Sequence, residues 1–417
     1  MTSPDVEPAA SSPDASPGEA QGPLAGLKIL DISTVVAGPW AATLLADLGA
    51  EVLKVELPGS GDALRALAPH KNGVPLWWKV TNRNKQCITL DLRQAGGKML
   101  FERLLPRFDV LVENFRPGTL GKWGLGPERL FELRPGLTVL RLTGFGQTGP
   151  YRNKPGFARV FEAMSGFTNL CGEPDRPPLH LGFPIADAVA GLFGALGILA
   201  ALHHRREHPD APGQEIDCSL FESMLRVLDF LPIEYDQLGI VRGRSGNLSQ
   251  YAAPGNVYRT QDGHWASIAA STQSIYERLC RAFGRSDLLE DARFVSNQQR
   301  LANRGVLDAI IGAEVGKRSI GELRSLLDAN DVGFSPVNTI ADVFEDPQVR
   351  EREAIVTVPD DELGPLRMQG VVPKFSRTPG KVRNAGPALG QHNQRVYGEL
   401  LGVTAEELQR LRESSAI

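Results

Sequence analysis

The chain has 417 residues, 42% apolar and 23% charged, a balance typical of water-soluble globular proteins with two or three domains. Its formal net charge of −4 provides no positive field that would attract nucleic acid or an anionic membrane. Four scattered cysteines without a C-x-x-C pair argue against a disulfide framework and a thiolate zinc site. We therefore expect a cytoplasmic protein that binds neither nucleic acid nor membrane.

The N-terminal segment, residues 1–22, is rich in Pro, Ser, Ala and acidic residues and contains no Lys or Arg. Such a composition cannot bury enough apolar surface to order itself. The segment also lacks the basic-then-apolar pattern of a signal peptide. We predict a disordered tail outside the fold.

Strand and helix patterns alternate from Leu24 onwards. LKILDIS reads as a strand, PWAATLLADLGA as a helix and EVLKVE as the next strand, and the alternation continues to LTVLRLTGFG at 137–146. This alternation predicts parallel βαβ units. The first strand–helix turn, STVVAGP, has one glycine, so the G-x-G-x-x-G fingerprint is absent and no nicotinamide or flavin cofactor is expected.

A long uncharged run follows a single acidic residue, Asp187. Ala188–Leu202 carries no charge and three glycines, and it is shorter than the ~20 residues that span a bilayer. It predicts a buried helix that neighbouring backbone can approach closely. Asp187 has a simple interpretation as the helix N-cap. A compatible second interpretation is a covalent nucleophile, because a helix N-terminus stabilises an ionised carboxylate.

The second half of the chain no longer shows a regular alternation of strand and helix patterns. GQEIDCS predicts one more strand, and Ser219 with Glu222 forms a capping-box pattern before a long helix over 219–231. A polar, glycine-rich loop follows from about Arg242, then a hairpin turning at Asp262–Gly263 and helical segments, one of them opened by Ser319 and Glu322. We predict a smaller α+β domain at 240–335, with further strand and helix signals over 336–417.

Three familiar catalytic patterns find no support in the sequence. HRREH at 204–208 matches the H-x-x-E-H metalloprotease pattern, but arginines separate the histidines and PDAPG ends the helix at once. This segment reads as a solvated, basic helix C-terminus, and no metal site is predicted. Neither a G-x-S-x-G elbow nor a P-loop motif occurs, so no sequence motif supports serine hydrolase or P-loop NTPase chemistry.

Between Leu24 and Leu401 the chain resembles the class III CoA-transferases, the group that includes formyl-CoA transferase, carnitine CoA-transferase, succinyl-CoA:glutarate CoA-transferase and α-methylacyl-CoA racemase. Each landmark is weak alone, but their shared order is highly specific. The landmarks are LKILDISTVVAGPWAATLLADLGAEVLKVE, PGSGDALR, NRNKQCITLDL, VENFRPGTLGKWGLG, TGFGQTGP, SGFTNLCGEPDRPP, PIADAVAGLFGALGILAAL, DPQV and GQH.

The resemblance implies that Asp187, in the PIAD segment, is a nucleophile. Its carboxylate attacks an acyl-CoA thioester to give a mixed anhydride, which CoA thiolate converts into an aspartyl-CoA thioester; a second acid then reverses these steps. Coenzyme A takes part as a thioester substrate, and no permanently bound cofactor or metal is implied. Water must be excluded, because both intermediates hydrolyse.

The resemblance also implies a set of CoA contacts. The wall beside the thiol end comprises Val35, Val36 and Ala37. The phosphate and adenosine contacts comprise Arg65, Asn84, Lys85, Asn114, Phe115 and Lys122, whose basic members suit phosphates. Formyl-CoA transferase has a glutamine where this chain has Val36, which argues against oxalate and formate. It has an arginine where this chain has Leu57, so that contact is lost or moved to Arg65.

Two alternative functions belong to the same resemblance. A racemase needs a histidine base where this chain has Phe157, and phenylalanine cannot accept a proton. A non-catalytic acyl-CoA-binding relative is disfavoured by the intact Asp187. Among transferases, VNTIADVFEDPQV and GQH look most like the succinyl-CoA:glutarate enzymes. Arg159 and His180 are candidates to bind the distal carboxylate of a dicarboxylic acid.

The fold implied by the resemblance is a Rossmann-like α/β large domain built from both chain ends, 23–225 and 336–417, with the small α+β domain between them. Two such chains interlock like links, so the resemblance also implies a permanent homodimer.

Overall fold

A computed structural model describes residues 22–417. The predicted disordered tail lies outside the described residues, apart from Gly22. Contacts divide the chain into two compact units. Of the described residues, the first contains 22–158, Pro184–Ser223 and Glu353–Ile417, and the second contains Arg159–Phe183 and Met224–Arg352.

Two predicted domain boundaries are corrected by this division. Residues 159–183 belong to the second unit, where the Gly246 N–H bonds the Gly172 carbonyl at 3.0 Å. Residues 336–352 also belong there, because Phe334–Pro336 pairs with a strand of that unit and two short helices follow it. The first unit therefore resumes at Glu353.

The first unit is built on a six-stranded parallel sheet. In chain order, its strands are β1 (Lys28–Asp31), β2 (Glu51–Glu56), β5 (Lys85–Thr89), β6 (Val110–Glu113), β7 (Thr138–Thr143) and β8 (Gln214–Ser219). Their spatial order is β5-β2-β1-β6-β7-β8. The predicted parallel α/β sheet is confirmed. Strand order reverses beside β1, so a crevice opens at the carboxyl ends of β1 and β6, where ligands bind in such sheets.

Helices and small hairpins surround this sheet. The helices are α1 (Ala37–Asp47), α2 (Leu76–Thr81), α3 (Ala95–Leu104), α4 (Thr119–Lys122), α5 (Pro127–Leu133), α8 (Ile185–Glu207) and α18 (Ala405–Glu413). Two 3₁₀ turns cover Ala63–Ala66 and Leu105–Arg107, and a π-helix covers Gln394–Leu400. The hairpins pair β3 (His70–Lys71) with β4 (Val74–Pro75) and β12 (Ile355–Val358) with β13 (Leu366–Gln369).

The C-terminal segment covers the outer edge of β5. The Cys87 N–H donates to His392 Nδ1 at 3.0 Å, and the Thr89 N–H donates to Asn393 Oδ1 at 2.9 Å. The Tyr397 hydroxyl donates to the Thr89 carbonyl at 2.6 Å. An uncovered edge strand is a template for wrong pairing, and side chains from the far end of the chain protect this one.

Helix α8 packs closely on α1 and on the sheet. A Cβ atom placed on Gly191 would lie 2.8 Å from Trp40 Cδ1 and 3.0 Å from the Ala37 carbonyl oxygen. On Gly194 it would lie 2.9 Å from Leu140 Cδ2. The predicted close approach of neighbours to the glycines is therefore confirmed, but the predicted burial of the helix is only partial, because Leu192 and Leu196 are exposed. Within residues 22–417, α8 alone has the length and apolar character of a membrane-spanning helix, and its glycine face is packed inside the first unit.

The second unit has a three-stranded antiparallel sheet, ordered β11-β10-β9. Its strands are β9 (Gly255–Arg259), β10 (Trp265–Ala269) and β11 (Phe334–Pro336). Its helices are α7 (Phe167–Leu170), α10 (Leu231–Leu238), α11 (Gln273–Ala282), α12 (Asp287–Glu290), α13 (Asn297–Ala302), α14 (Arg304–Val315), α15 (Ile320–Ala329), α16 (Ile340–Glu345) and α17 (Pro347–Glu351). Helices α6 (Ala158–Met164) and α9 (Leu220–Arg226) cross the boundaries between the units.

Of the local features predicted for this region, two are confirmed and one is wrong. The hairpin at Asp262–Gly263 and the capping box of Ser319 with Glu322 are both present. The single helix predicted over 219–231 is wrong, because α9 ends at Arg226 and Asp229 adopts a left-handed conformation (φ 52°) before α10 begins.

Candidate active site

Two loops beside the crevice at β1 are joined by a reciprocal pair of hydrogen bonds. Thr34 follows β1, and Asn114 follows β6. The Thr34 N–H donates to Asn114 Oδ1 at 2.7 Å, and Asn114 Nδ2 donates to the Thr34 carbonyl at 2.7 Å. Asn114, predicted as a CoA contact, thus fixes the loop that carries the predicted thiol wall.

The next residue of that loop is strained. Val35 has φ 65°, a left-handed conformation that a β-branched residue rarely adopts. Its N–H donates to both carboxylate oxygens of Asp62, at 3.0 Å and 3.2 Å. Val36 is the buried N-cap of α1, and Ala37 begins that helix. The three predicted wall residues therefore form one turn, held by Asn114 on one side and Asp62 on the other.

A buried ionic cluster lies beneath this turn. Lys85 Nζ is 2.9 Å from Asp31 Oδ2, and Lys54 Nζ is 3.8 Å from Asp31 Oδ1 and 3.5 Å from Asp62 Oδ2. Burial opposes the charge on Asp31, but the two ammonium groups hold the pKa of this carboxyl below its usual range. Burial also opposes the charge on Lys54, yet Asp31 and Asp62 raise its pKa above the ordinary value. The cluster is therefore charged and internally compensated.

Lys85 belongs to this cluster and not to a solvent-facing phosphate site. Its ammonium donates to Asp31, to the Pro39 carbonyl at 2.8 Å and to Asn82 Oδ1 at 2.9 Å. The three partners use all three N–H donors, and the side chain is buried. Burial lowers the pKa of Lys85 to about 8, against the pull of Asp31. This geometry argues against the predicted CoA-phosphate contact.

Asn84 likewise serves the fold. Its Nδ2 donates to Asp47 Oδ1 at 2.8 Å and to the Lys381 carbonyl at 2.9 Å. Its Oδ1 accepts the N–H groups of Arg383 at 2.7 Å and Asn384 at 3.4 Å. The side chain therefore fastens the C-terminal segment to the start of β5, which argues against its predicted contact with CoA.

Arg65 is held by a carboxylate and an aromatic ring. It forms a bidentate pair with Glu56 at 2.7 Å and 2.8 Å, and its Nη2 also donates to the Pro387 carbonyl at 3.0 Å. Its Cζ lies 3.7 Å from the centroid of the Trp78 ring. A phosphate contact by Arg65 stays a prediction.

Phe115 and Lys122 follow β6 on the carboxyl side of the sheet. The Phe115 ring packs edge-on against Trp123, with centroids 5.2 Å apart, and its N–H donates to Glu113 Oε2 at 2.7 Å. Lys122 ends α4 and is exposed, so its ammonium is accessible from solvent. The predicted CoA contacts of both residues stay predictions.

Asp187 occupies the first turn of α8 but is not its N-cap. Pro184 holds the N-cap position, where it supplies no side-chain hydrogen bond, and Asp187 is the third residue of the helix. The simple capping interpretation is therefore wrong. A carboxylate in this turn still gains from the helix dipole.

The packing of α8 sets the position of Asp187. It lies one turn before Gly191 and on the same helix face. Gly191 lies against Ala37 and Trp40, and Gly194 lies against Leu140 of β7, so α8 begins at the carboxyl edge of the sheet, where α1 also begins. Asp187 is therefore placed level with the turn that carries Val35.

The other candidates lie outside this arrangement. His180 and Arg159 belong to the second unit, where His180 Nδ1 lies 3.2 Å from Glu162 Oε2 and Arg159 is exposed. Phe157, at the position of the racemase base, is exposed. Across residues 22–417, no three His, Cys, Asp or Glu side chains are grouped as a metal site.

Sequence reasoning missed Asp62, which receives the Val35 N–H. Its signal was present in the PGSGDALR landmark, where it is the only acidic residue. It also missed Glu113, buried below the Phe115 loop and 3.3 Å from Arg141 Nη1. Burial raises the pKa of Glu113 to about 7, although Arg141 opposes the shift.

The parallel sheet of the first unit reverses its strand order beside β1, and open α/β sheets of this kind bind ligands at the carboxyl ends of the strands at such a point. Residues 24–393 match the model of CoA-transferase family III, and the chain belongs to this family. Family membership makes the protein an enzyme that transfers coenzyme A between an acyl-CoA and a carboxylate.

Relatives and solved structures agree with this assignment. The chain is 43% identical to succinyl-CoA–D-citramalate CoA-transferase of Chloroflexus aurantiacus, over 95% of this chain and 98% of the relative. It is 34% identical to succinate–glutarate CoA-transferase of Agrobacterium fabrum, over 91% and 96% of the two chains. A crystal structure of a CAIB/BAIF family protein from Brucella suis superposes with a TM-score of 0.81 at 34% identity, covering 91% of this chain and all of that one.

Proposed function

We propose that this protein transfers CoA from succinyl-CoA, or another dicarboxylyl-CoA, to a carboxylic acid through covalent intermediates on Asp187. One observation supports the proposal: Asp187 lies in the first turn of α8, one turn before Gly191, which packs against Ala37 and Trp40 of α1. The family assignment supplies the reaction, and this position is consistent with Asp187 as its nucleophile.

The reaction proceeds by exchange at carbonyl carbons. An Asp187 carboxylate oxygen attacks the thioester carbonyl, the C–S bond breaks, and CoA leaves as the thiolate. The thiolate then attacks the aspartyl carbonyl of the mixed anhydride, which forms the aspartyl-CoA thioester and releases the first acid as a carboxylate. The acceptor carboxylate attacks this thioester, and the same steps run in reverse. Charge balances at each step without an external proton donor.

The residues around Asp187 suit this chemistry. The first turn of α8 stabilises the ionised, nucleophilic carboxylate through the helix dipole. Val35, Val36 and Ala37 provide an apolar wall, which excludes water from intermediates that hydrolyse. We propose that Lys122 and Arg65 contact the CoA phosphates and that Phe115 and Asn114 border the nucleotide.

A dicarboxylic acceptor is favoured by the relatives. One relative carries citramalate in its name and another carries glutarate, and both names include a succinyl group or succinate. The greater identity to the first favours a branched or hydroxylated C4–C5 dicarboxylic acid over glutarate. A contact of Arg159 or His180 with the distal carboxylate stays a prediction, and both residues belong to the second unit. We further propose that the enzyme is a cytoplasmic homodimer.

The experiment is an acceptor screen. The purified enzyme is incubated with succinyl-CoA and single acids, including citramalate, malate, glutarate, oxalate and acetate, and new acyl-CoA species are measured by mass spectrometry. We expect transfer to the dicarboxylic acids with four or five main-chain carbons and no transfer to oxalate. Transfer to oxalate or acetate alone would contradict the substrate proposal. No transfer to any acid would contradict the proposed function.

A further inference from the structure

Val35 is an unusual residue to find in a left-handed conformation. Among the non-glycine residues with positive φ in residues 22–417, it is the only β-branched one; the others are Asn72, Asn84, Asp229, Asp331, Glu353 and Ser415. Such a conformation is strained and persists only where surrounding contacts hold it. Because Val35 belongs to the proposed wall of the active site, the group that holds its backbone in this conformation also fixes the shape of that wall.

Asp62 is that group. Both of its carboxylate oxygens accept the Val35 N–H, and Oδ1 also accepts the Leu64 N–H at 2.9 Å. The carboxylate is buried, with Lys54 Nζ 3.5 Å from Oδ2. The Asp62 N–H donates to Glu56 Oε2 at 2.8 Å, which fixes the acid itself to the end of β2. A buried, charged acceptor with several partners is a rigid anchor.

The conformation of Val35 decides where the following residues point. Val36 is the N-cap and Ala37 the first residue of α1, so a change of φ at Val35 redirects the backbone that enters the helix. The Thr34 side of the turn is fixed independently by Asn114. The proposed wall beside the reacting thioester is therefore held at two points, by Asn114 at Thr34 and by Asp62 at Val35.

We infer that Asp62 is a positioning residue for the CoA-transfer reaction, which it serves by holding Val35 in its left-handed conformation. The inference rests on the proposed function, since it needs the Val35 turn to border the reacting thioester. Asp62 touches no reacting atom and acts through the Val35 N–H. Without the carboxylate, Val35 relaxes to negative φ and the wall moves relative to Asp187.

The test is a double-mutant cycle between Asp62→Ala and Val35→Gly. Glycine adopts a left-handed conformation without steric cost, so the turn of the Val35→Gly variant has no strain for the carboxylate to offset. We expect Asp62→Ala to lower kcat about tenfold to a hundredfold, because a misplacement of about 1 Å near reacting groups has such an effect. KM for succinyl-CoA should change less than threefold. In the Val35→Gly background the same substitution should lower kcat less than threefold.

Two further variants separate positioning from general stability. Asp91 is a matched control, because this buried acid also accepts a backbone N–H, from Arg93 at 2.9 Å, and pairs with a cation at 2.8 Å. Asp91→Ala should lower the melting temperature and leave kcat and KM unchanged. Asp62→Asn keeps one acceptor oxygen for the Val35 N–H, so its kcat should lie between those of the wild type and Asp62→Ala. If Asp62→Ala does not fold, the cycle is measured with Asp62→Asn.

The outcomes distinguish the inference from the proposed function. If the wild type transfers CoA and Asp62→Ala loses kcat equally in the wild-type and Val35→Gly backgrounds, the inference is wrong and the proposed function stands. Full activity of Asp62→Ala would overturn the inference in the same way. If the wild type transfers CoA to no acid, the proposed function itself fails.

Discussion

Gly191→Ala tests whether the close packing of α8 on α1 positions Asp187. The added Cβ would lie 2.8 Å from Trp40 Cδ1 and 3.0 Å from the Ala37 carbonyl oxygen. Carbon atoms prefer a separation of about 3.5–4.0 Å, so the two helices must move apart by several tenths of an ångström. One obstructing atom belongs to the backbone and cannot rotate away.

The magnitude follows from two opposing effects. Replacing glycine by alanine inside a helix stabilises by about 1 kcal/mol. Overpacking costs about 1–3 kcal/mol, and the backbone obstruction favours the upper end, so the net loss of stability is about 2 kcal/mol. Gly312→Ala is the matched control: it lies inside α14, where the new Cβ would lie 3.5 Å from Tyr258 Cδ1, an ordinary contact. This variant should be stabilised by about 1 kcal/mol.

The assays are thermal unfolding and steady-state kinetics. Gly191→Ala should unfold several degrees below the wild type, and Gly312→Ala should unfold above it. Because Asp187 lies one turn before Gly191, separation of the helices should also lower kcat roughly tenfold. If Gly191→Ala is stabilised as much as Gly312→Ala and keeps full kcat, the packing argument for the position of Asp187 is refuted.

Three other predictions concern charge, assembly and reaction type. Burial raises the pKa of Glu113 from 4.5 to about 7, so the stability that this carboxyl contributes is fully present below pH 4.5 and is lost as pH rises through 7, by up to about 3 kcal/mol. Glu113→Gln should abolish this part of the pH dependence of the unfolding free energy, and an unchanged pH profile would contradict the prediction. Light scattering should give twice the chain mass of 45.2 kDa, whereas an active monomer would contradict the dimer. A 2-deuterated 2-methylacyl-CoA should retain its label, because Phe157 cannot act as a base, and rapid exchange would revive the racemase alternative.

The parallel sheet could be predicted because strand and helix periodicity is a local property of the sequence. The alternation from Leu24 indicated the parallel strands, and STVVAGP was identified as the turn after the first of them. The strand order, which sets where the loops after β1 and β6 meet, depends on long-range pairing and could not be predicted. The boundaries of the second unit could not be predicted in this way. Residues 159–183 contain helical signals that fit either unit, and only long-range pairing, such as Gly246 with Gly172, decides between them.

The roles of individual polar residues were harder to predict than the loops that carry them. Lys85 and Asn84 lie in a recognisable segment, but sequence does not reveal that their side chains turn inward to Asp31 and Asp47. The N-cap prediction for Asp187 failed because the helix begins three residues earlier than predicted, at Ile185, directly after Pro184. Asp62 was missed because its role depends on the backbone conformation of Val35, which follows from contacts between distant segments.

The most direct test of the proposed mechanism is the chemical trapping of Asp187. The enzyme is incubated with succinyl-CoA and hydroxylamine, or with borohydride, and the peptide that contains residue 187 is mapped by mass spectrometry. The mechanism predicts a hydroxamate or an alcohol at Asp187, only when acyl-CoA is present. Asp187→Asn should fold normally and lose turnover by several orders of magnitude. An unmodified Asp187 during turnover, or near-wild-type activity of Asp187→Asn without deamidation, would contradict the mechanism.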